Sequence, residues 1–265
     1  MSELEFLGAL HVELLRRGGL PDELAHHLEH PEHELFQTST VQALLAGAYD
    51  GDVTIGELLE HGDLGLGTLN ALDGELIVVD GEAFKAELDC TLTRPPGSAR
   101  TPYAVVARFS PGARVELTEP LPGAELEEWL RSAGRITDRP DAIRIDGQFA
   151  SVHVRSVPKQ TKPYQPLAAA IAQQHVVGLE EVEGTMVGFR FTDPLEGIEM
   201  TGFHLHFATA DRTRGGHVLS YSVHAGSVLV DEATDLHVEL PPAVGAPAHG
   251  TTLDQHEIAR LERDS

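Results

Sequence analysis

Gly202-Phe203-His204-Leu205-His206-Phe207, with His217 downstream, has the alternation of a β-strand and the histidine spacing of a metal site. Residues 202 to 207 are rich in β-formers, and alternate side chains of a strand share a face. His204 and His206 therefore project together, while Phe203, Leu205 and Phe207 turn toward a core. The following segment, Ala208-Thr-Ala-Asp211-Arg-Thr-Arg-Gly215-Gly216, carries turn residues. His217 then opens a second strand-like run, Val-Leu-Ser-Tyr-Ser-Val. An antiparallel hairpin would place His217 beside the His-x-His pair, with three imidazoles around one ion. Three protein ligands with a fourth position open is the arrangement of a catalytic zinc. Histidines at alternate positions also occur on ordinary surface strands; the apolar back face and the third histidine one hairpin away favour the metal.

Outward from this hairpin, the segment from about 185 to 240 reads almost entirely as strand: Met186 to Thr192, Ile198 to Phe207, His217 to Val230 and Leu236 to Leu240. Pro241 and Pro242 end it. Upstream, Thr38 to Gly47 predicts a capped helix and Thr54 to His61 a second short one. Asp73-Gly74 and Asp80-Gly81 bracket Glu75-Leu-Ile-Val-Val, a strand with hairpin turns on both sides. Further strands are predicted over 103 to 109, 113 to 117, Ile143 to Ile145 and Phe149 to Val157. Helices are predicted over Ala124 to Ser132, which holds Trp129, and over Leu167 to Gln174 after the Pro-broken loop Lys162 to Pro166. Mixed β-sheets with scattered helices indicate an α/β (α+β) fold. A larger mixed part, 34–185, would precede a smaller, mostly β part, 186–245, that carries the metal hairpin. Residues 1–33 read as a His- and acid-rich extension, in which His26 and His30 have i, i+4 spacing, and 246–265 as a C-terminal tail.

The chain has 19 Lys+Arg against 42 Asp+Glu, a formal net charge of -23. Such a surface repels phosphate backbones and anionic lipids, which argues against nucleic-acid or membrane partners. An anionic substrate would need a local positive centre, which a metal and a placed arginine could supply. The single cysteine, Cys90, allows no internal disulfide and no thiolate cluster. The first residues carry acids where a signal peptide has basic charge, and no stretch reaches the roughly 20 apolar residues of a membrane span, so a cytoplasmic location is expected.

Three stretches resemble the α-acetolactate decarboxylases: Tyr49-Asp-Gly-Asp-Val-Thr-Ile-Gly-Glu-Leu-Leu59, His61-Gly-Asp-Leu-Gly-Leu-Gly-Thr-Leu-Asn-Ala-Leu-Asp-Gly-Glu-Leu-Ile77, and Gly202-Phe-His-Leu-His-Phe207 with His217. They stand in that family's order and span roughly residues 35 to 240. The resemblance implies a homodimeric zinc enzyme that converts 2-acetolactate to (R)-acetoin and CO2 without an organic cofactor. It implies His204, His206 and His217 as zinc ligands, Arg155 and Glu75 as active-site residues, and Thr68 in the substrate pocket. It further implies a glutamate from the C-terminal tail near the metal, for which Glu257 and Glu262 both qualify by spacing.

These residue types suit the reaction. Loss of CO2 from a β-keto acid leaves an electron pair conjugated with the ketone oxygen, and a Lewis-acidic zinc could stabilise the developing charge. No Schiff-base lysine is then required, in a chain whose lysines are Lys85, Lys159 and Lys162. Arg155 could hold the carboxylate by a bidentate pair, and Glu75 could accept from the substrate hydroxyl. Two other readings fit a His-x-His plus His set: a hydro-lyase of the carbonic-anhydrase type, in which the metal activates water, and a non-catalytic metal-binding protein using the His-rich extension.

Overall fold

The computed structural model describes residues 33–195 and 197–240. Most of the amino-terminal extension and the tail with Glu257 and Glu262 lie outside them. In chain order the strands are β1 (Glu34–Thr38), β2 (Val53–Thr54), β3 (Leu64–Thr68), β4 (Glu75–Val79), β5 (Glu82–Ala86), β6 (Leu92–Thr93), β7 (Arg100–Thr101), β8 (Tyr103–Ala107), β9 (Ala113–Leu117), β10 (Leu121–Pro122), β11 (Asp141–Ser156), β12 (His175–Phe191), β13 (Gly202–Thr209), β14 (Gly215–Glu232) and β15 (Asp235–Glu239). Among the described residues, four short α-helices accompany them: α1 (Val41–Leu45), α2 (Ile55–His61), α3 (Leu126–Ser132) and α4 (Leu167–Ile171). The fold is the expected mixture of β-sheets with scattered helices. No helix among the described residues is long and apolar enough to cross a membrane.

The first sheet has the order β15-β1-β8-β3-β4-β5-β6. Its neighbours are antiparallel except for β1 and β15. The sequence Leu76-Ile-Val-Val79 is continuously apolar because both faces of this sheet are covered. Leu76, Val78, Ala104 and Val106 pack on Ile55 and Leu58 of α2. Leu66, Ile77, Val79 and Val105 face the second sheet. Helix α2 starts where it does because Thr54 and Glu57 form a reciprocal capping box that satisfies two otherwise orphan N–H groups.

The second sheet runs β10-β14-β11-β12-β13, and β13 pairs back onto β14. Strands β11 to β14 thus close on themselves. Ile143, Ile145, Val152, Val154, Met186, Leu205, Phe207 and Val228 share one core with Leu126 and Leu130 of α3. The opposite faces supply Ala142, Val187, Phe189, Phe191 and Ala208 to the apolar layer against the first sheet.

The long strands depart from the sequence reading. The strands expected over Ile143–Ile145 and Phe149–Val157 merge into one 16-residue strand that ends at Ser156, because Gly147 continues the ladder opposite Gly184 and Gly226 instead of turning. A Cβ at Gly147 would lie 2.3 Å from the Ala225 carbonyl oxygen, so glycine here serves close strand approach. Strand β12 begins at His175 rather than Met186, since a backbone ladder with β11 forms regardless of its polar, exposed side chains. The boundary drawn at 185/186 consequently falls inside a strand, and the described residues belong to one compact unit beginning at His33. His33, read as part of the extension, is bonded to the buried Asp231. Residues Ile198 to Thr201 approach β13 as an irregular connection. Helix α4 stops at Ile171, short of Gln174.

The turn between β3 and β4 holds Gly74 at φ +90, where a Cβ would also stand 2.4 Å from the Ala86 carbonyl oxygen. Strain in this left-handed region costs on the order of 1–3 kcal/mol. Gly74→Ala should therefore lower Tm by at least about 2 °C in thermal unfolding followed by circular dichroism; an unchanged Tm would mean that the turn relaxes without strain.

Candidate active site

Strand register brings the predicted residues together. His206 lies directly opposite His217 in the β13–β14 pair, and His217 lies opposite Arg155 in the β14–β11 pair. Directly opposed residues project from the same side of a sheet, and His204 joins them by the alternation along β13. On the facing sheet Thr68 is opposite Glu75 in β3–β4 and opposite Tyr103 in β3–β8, one row across three strands. The two polar rows meet across the layer between the sheets. The antiparallel hairpin expected from the sequence is present, and Leu205 and Phe207 do turn to the core behind it.

The imidazoles are arranged as ligands. His206 Nδ1 lies 2.7 Å from the Leu76 carbonyl oxygen. A carbonyl only accepts, so Nδ1 carries the proton and Nε2 presents its lone pair inward. That Nε2 is 3.3 Å from His217 Nδ1. Zinc–nitrogen bonds of about 2.0–2.1 Å make the edge of a tetrahedron about 3.3–3.4 Å, which the observed separation matches. One nitrogen from each of His204, His206 and His217 lies within 4.8 Å of the others. Burial, with the neighbouring imidazoles second, holds the His206 pKa well below its ordinary 6.5. A neutral imidazole is the form that binds a metal. The donor set therefore fits a divalent ion of the zinc type.

Beside it, Arg155 Nη1 donates to Glu75 Oε1 at 3.3 Å, both side chains being buried, and Glu75 Oε2 lies 3.9 Å from His206 Nε2. The carboxylate is thus held between a guanidinium and the imidazole cluster. Thr68 donates its hydroxyl hydrogen to the Gly74 carbonyl at 2.9 Å, which ties the pocket wall to the β3–β4 turn. Its oxygen keeps acceptor capacity for a ligand. A cavity at this point is lined by Thr68, Glu75, Arg155, His204 and His217, with Leu44, Gly67, Leu72, Tyr103, Val157 and Leu167 completing its walls. Apolar walls exclude water and strengthen the charge interactions inside.

All six site residues expected among the described positions, Thr68, Glu75, Arg155, His204, His206 and His217, converge here. The tail glutamates, Glu257 and Glu262, lie outside the described residues. Two residues escaped sequence reasoning. Tyr103 is one polar member of an otherwise apolar strand, and Glu199 interrupts an apolar approach to the His-x-His strand. Glu199 is fully buried, and the Tyr103 hydroxyl lies 2.6 and 2.5 Å from its two carboxyl oxygens. A single charged residue in a short irregular stretch carries no signal of burial.

The sequence profile of the Alpha-acetolactate decarboxylase family matches residues 35–245. The chain is 40% identical over 230 residues to an alpha-acetolactate decarboxylase of Methylococcus capsulatus, covering 87% of this chain and 88% of that one. It is 37% identical over 229 residues to one from Klebsiella aerogenes, covering 85% and 88%. Among solved structures, alpha-acetolactate decarboxylase from Bacillus subtilis strain 168 superposes with a TM-score of 0.81 at 32% identity, over 88% of this chain and all of that one.

Proposed function

Because the chain belongs to the alpha-acetolactate decarboxylase family, a family of carboxy-lyases, we propose that it performs the zinc-dependent decarboxylation of 2-acetolactate to (R)-acetoin and CO2. The reading places it in the cytoplasm as a homodimer, the dimer resting on the family resemblance. The observation that carries the reading is the convergence of three imidazoles on a buried Glu75–Arg155 pair at one largely apolar cavity, which His204 and His217 line.

His204, His206 and His217 would hold the zinc, which when bound would supply a Lewis acid for negative charge developing on oxygen. The chain's own residues then set the geometry. Arg155 grips the substrate carboxylate and orients it, so that the breaking carbon–carbon bond lies perpendicular to the ketone plane and its electrons flow into the carbonyl. Glu75 accepts from the substrate hydroxyl and fixes the face that will receive a proton. Thr68 and the leucines of the wall bound the space in which the methyl groups sit. Acetoin formation from racemic acetolactate, with and without a chelator, tests this directly. Acetoin is expected only without chelator, and restored by added zinc. Undiminished turnover in metal-free protein would overturn the zinc requirement, and no acetoin at all would overturn the reaction.

Arg155→Lys keeps the charge and loses the planar fork, which is not a conservative exchange at a bidentate site. The expected result is a fall in kcat/KM of at least about tenfold, equivalent to roughly 1.4 kcal/mol of transition-state stabilisation, with unchanged zinc content. Wild-type kinetics in this variant would make Arg155 a purely structural partner of Glu75.

A further inference from the structure

Decarboxylation of a carboxylate to a neutral ketone consumes one proton per turnover, and the interior of this site holds a group built to store one. Tyr103 stands in the same row as Thr68 and Glu75 and lines the cavity. Behind it, away from Thr68 and Glu75 in the chain, Glu199 is buried on the connection that leads into β13. The two carboxyl oxygens of Glu199 lie 2.6 and 2.5 Å from the Tyr103 hydroxyl. We propose that Tyr103 and Glu199 form the proton store of the reaction, Glu199 passing its carboxyl proton through the Tyr103 hydroxyl to the carbon that has lost CO2. The inference rests on the decarboxylase reading and adds to it a residue pair and a direction of proton flow.

Burial, rather than the groups that face it, favours the neutral form of Glu199. Burial pushes its pKa up to about 8, against the lowering effect of two hydrogen-bond donors, the Tyr103 hydroxyl from β8 and the Met200 N–H. From β1, Gln37 donates to the carbonyl of the adjacent Ile198 and brings no charge. Across the cavity the charged and titratable groups among the described residues are Glu75, Arg155, His204 and His217. The Tyr103 hydroxyl donates to Glu199 in this structure; a protonated carboxyl is both donor and acceptor, so the bond can reverse, the Glu199 O–H then pointing at the tyrosine oxygen as the tyrosine gives up its own proton.

The step balances. The carbon–carbon bond to the carboxylate breaks, CO2 leaves without charge, and the bonding pair remains on carbon in conjugation with the ketone oxygen. The Tyr103 proton forms the new C–H bond, the Glu199 proton replaces it on the Tyr103 oxygen, and the Glu199 carboxylate regains a proton from water before the next turnover. Glu199 acts through Tyr103 and touches no reacting atom.

The test compares zinc-replete wild type, Glu199→Gln and Tyr103→Phe. In wild type, kcat should fall as pH rises through about 8, because the stored proton is lost there. Glu199→Gln has no proton to lose, so that limb should vanish while the kcat plateau drops at least about tenfold, less than the hundredfold often seen for a general acid because water partly substitutes. Tyr103→Phe should lower kcat similarly, with KM little changed in both. Infrared spectroscopy should show a protonated buried carboxyl at pH 7 in wild type that disappears above pH 8 and is absent from Glu199→Gln. A carboxyl already ionised at pH 7, or both variants retaining the wild-type plateau and alkaline limb, would overturn the proton store while leaving the decarboxylase reading intact. No acetoin from wild type at any pH would remove both.

Discussion

His217→Ala is expected to abolish zinc binding and acetoin formation together. The reason lies in the register: His217 in β14 is the partner of both His206 and Arg155, so it joins the proposed ligand set to the arginine proposed to bind substrate. Its Nδ1 stands at tetrahedral-edge distance from His206 Nε2. Two imidazoles cannot hold the ion as three do, and even outer-shell partners of ligands cost roughly 10–100-fold in affinity or activity when removed. Loss of a direct ligand should therefore exceed a hundredfold in kcat/KM. The fold should survive, because alanine fits the strand and the two core faces behind it remain intact. Elemental analysis and an acetoin assay on the same sample give the answer. Full activity in metal-free His217→Ala protein would end the metal-centre reading. Replacing His26, His27 and His30 together should leave both zinc and turnover unchanged, since these lie outside the family match.

Glu75→Gln should retain zinc and lose most of its turnover. The substitution preserves shape, and the Gln oxygen can still accept from Arg155, so the protein should fold and bind metal. What disappears is a buried negative charge beside a largely apolar cavity, placed 3.3 Å from the Arg155 guanidinium and 3.9 Å from the His206 imidazole. A charged acceptor makes hydrogen bonds roughly twice as strong as a neutral one, and low local dielectric enlarges the difference. A fall of kcat by at least about a hundredfold, roughly 2.7 kcal/mol, is expected. Chiral chromatography of the residual acetoin gives a second readout. Wild type should form mainly the R product, whereas Glu75→Gln should show a lower enantiomeric excess if this carboxylate fixes the substrate hydroxyl. Unaltered rate and stereochemistry would leave Glu75 as a structural counter-ion for Arg155.

Much of this site was legible in the chain. The alternation of His204-Leu-His206-Phe determines that two imidazoles face one way and two apolar groups the other, and the Asp211–Gly216 turn residues determine that His217 can return beside them. These are properties of nearest neighbours and one short loop, which is why they survive folding unchanged. The capped starts of α1 at Thr40 and α2 at Thr54 are local in the same sense. Resemblance, rather than spacing, singled out Thr68, Glu75 and Arg155, which taken alone read as ordinary strand residues.

Tertiary structure decided the rest. That β11 and β12 run unbroken through Gly147 and through a polar exposed stretch depends on partner strands, whose backbone ladder the side-chain pattern of one strand does not encode. The closure of β13 onto β14 and the meeting of the two sheets depend on which apolar faces find each other, and those contacts join residues far apart in sequence. Glu199 shows the difference most sharply. In sequence it is one acid among many in a chain of net charge -23. Only burial in the folded protein pushes its pKa up, to about 8 against the lowering hydrogen bond from Tyr103, because the cost of desolvating a charge is set by everything packed around it and by nothing in the residue itself.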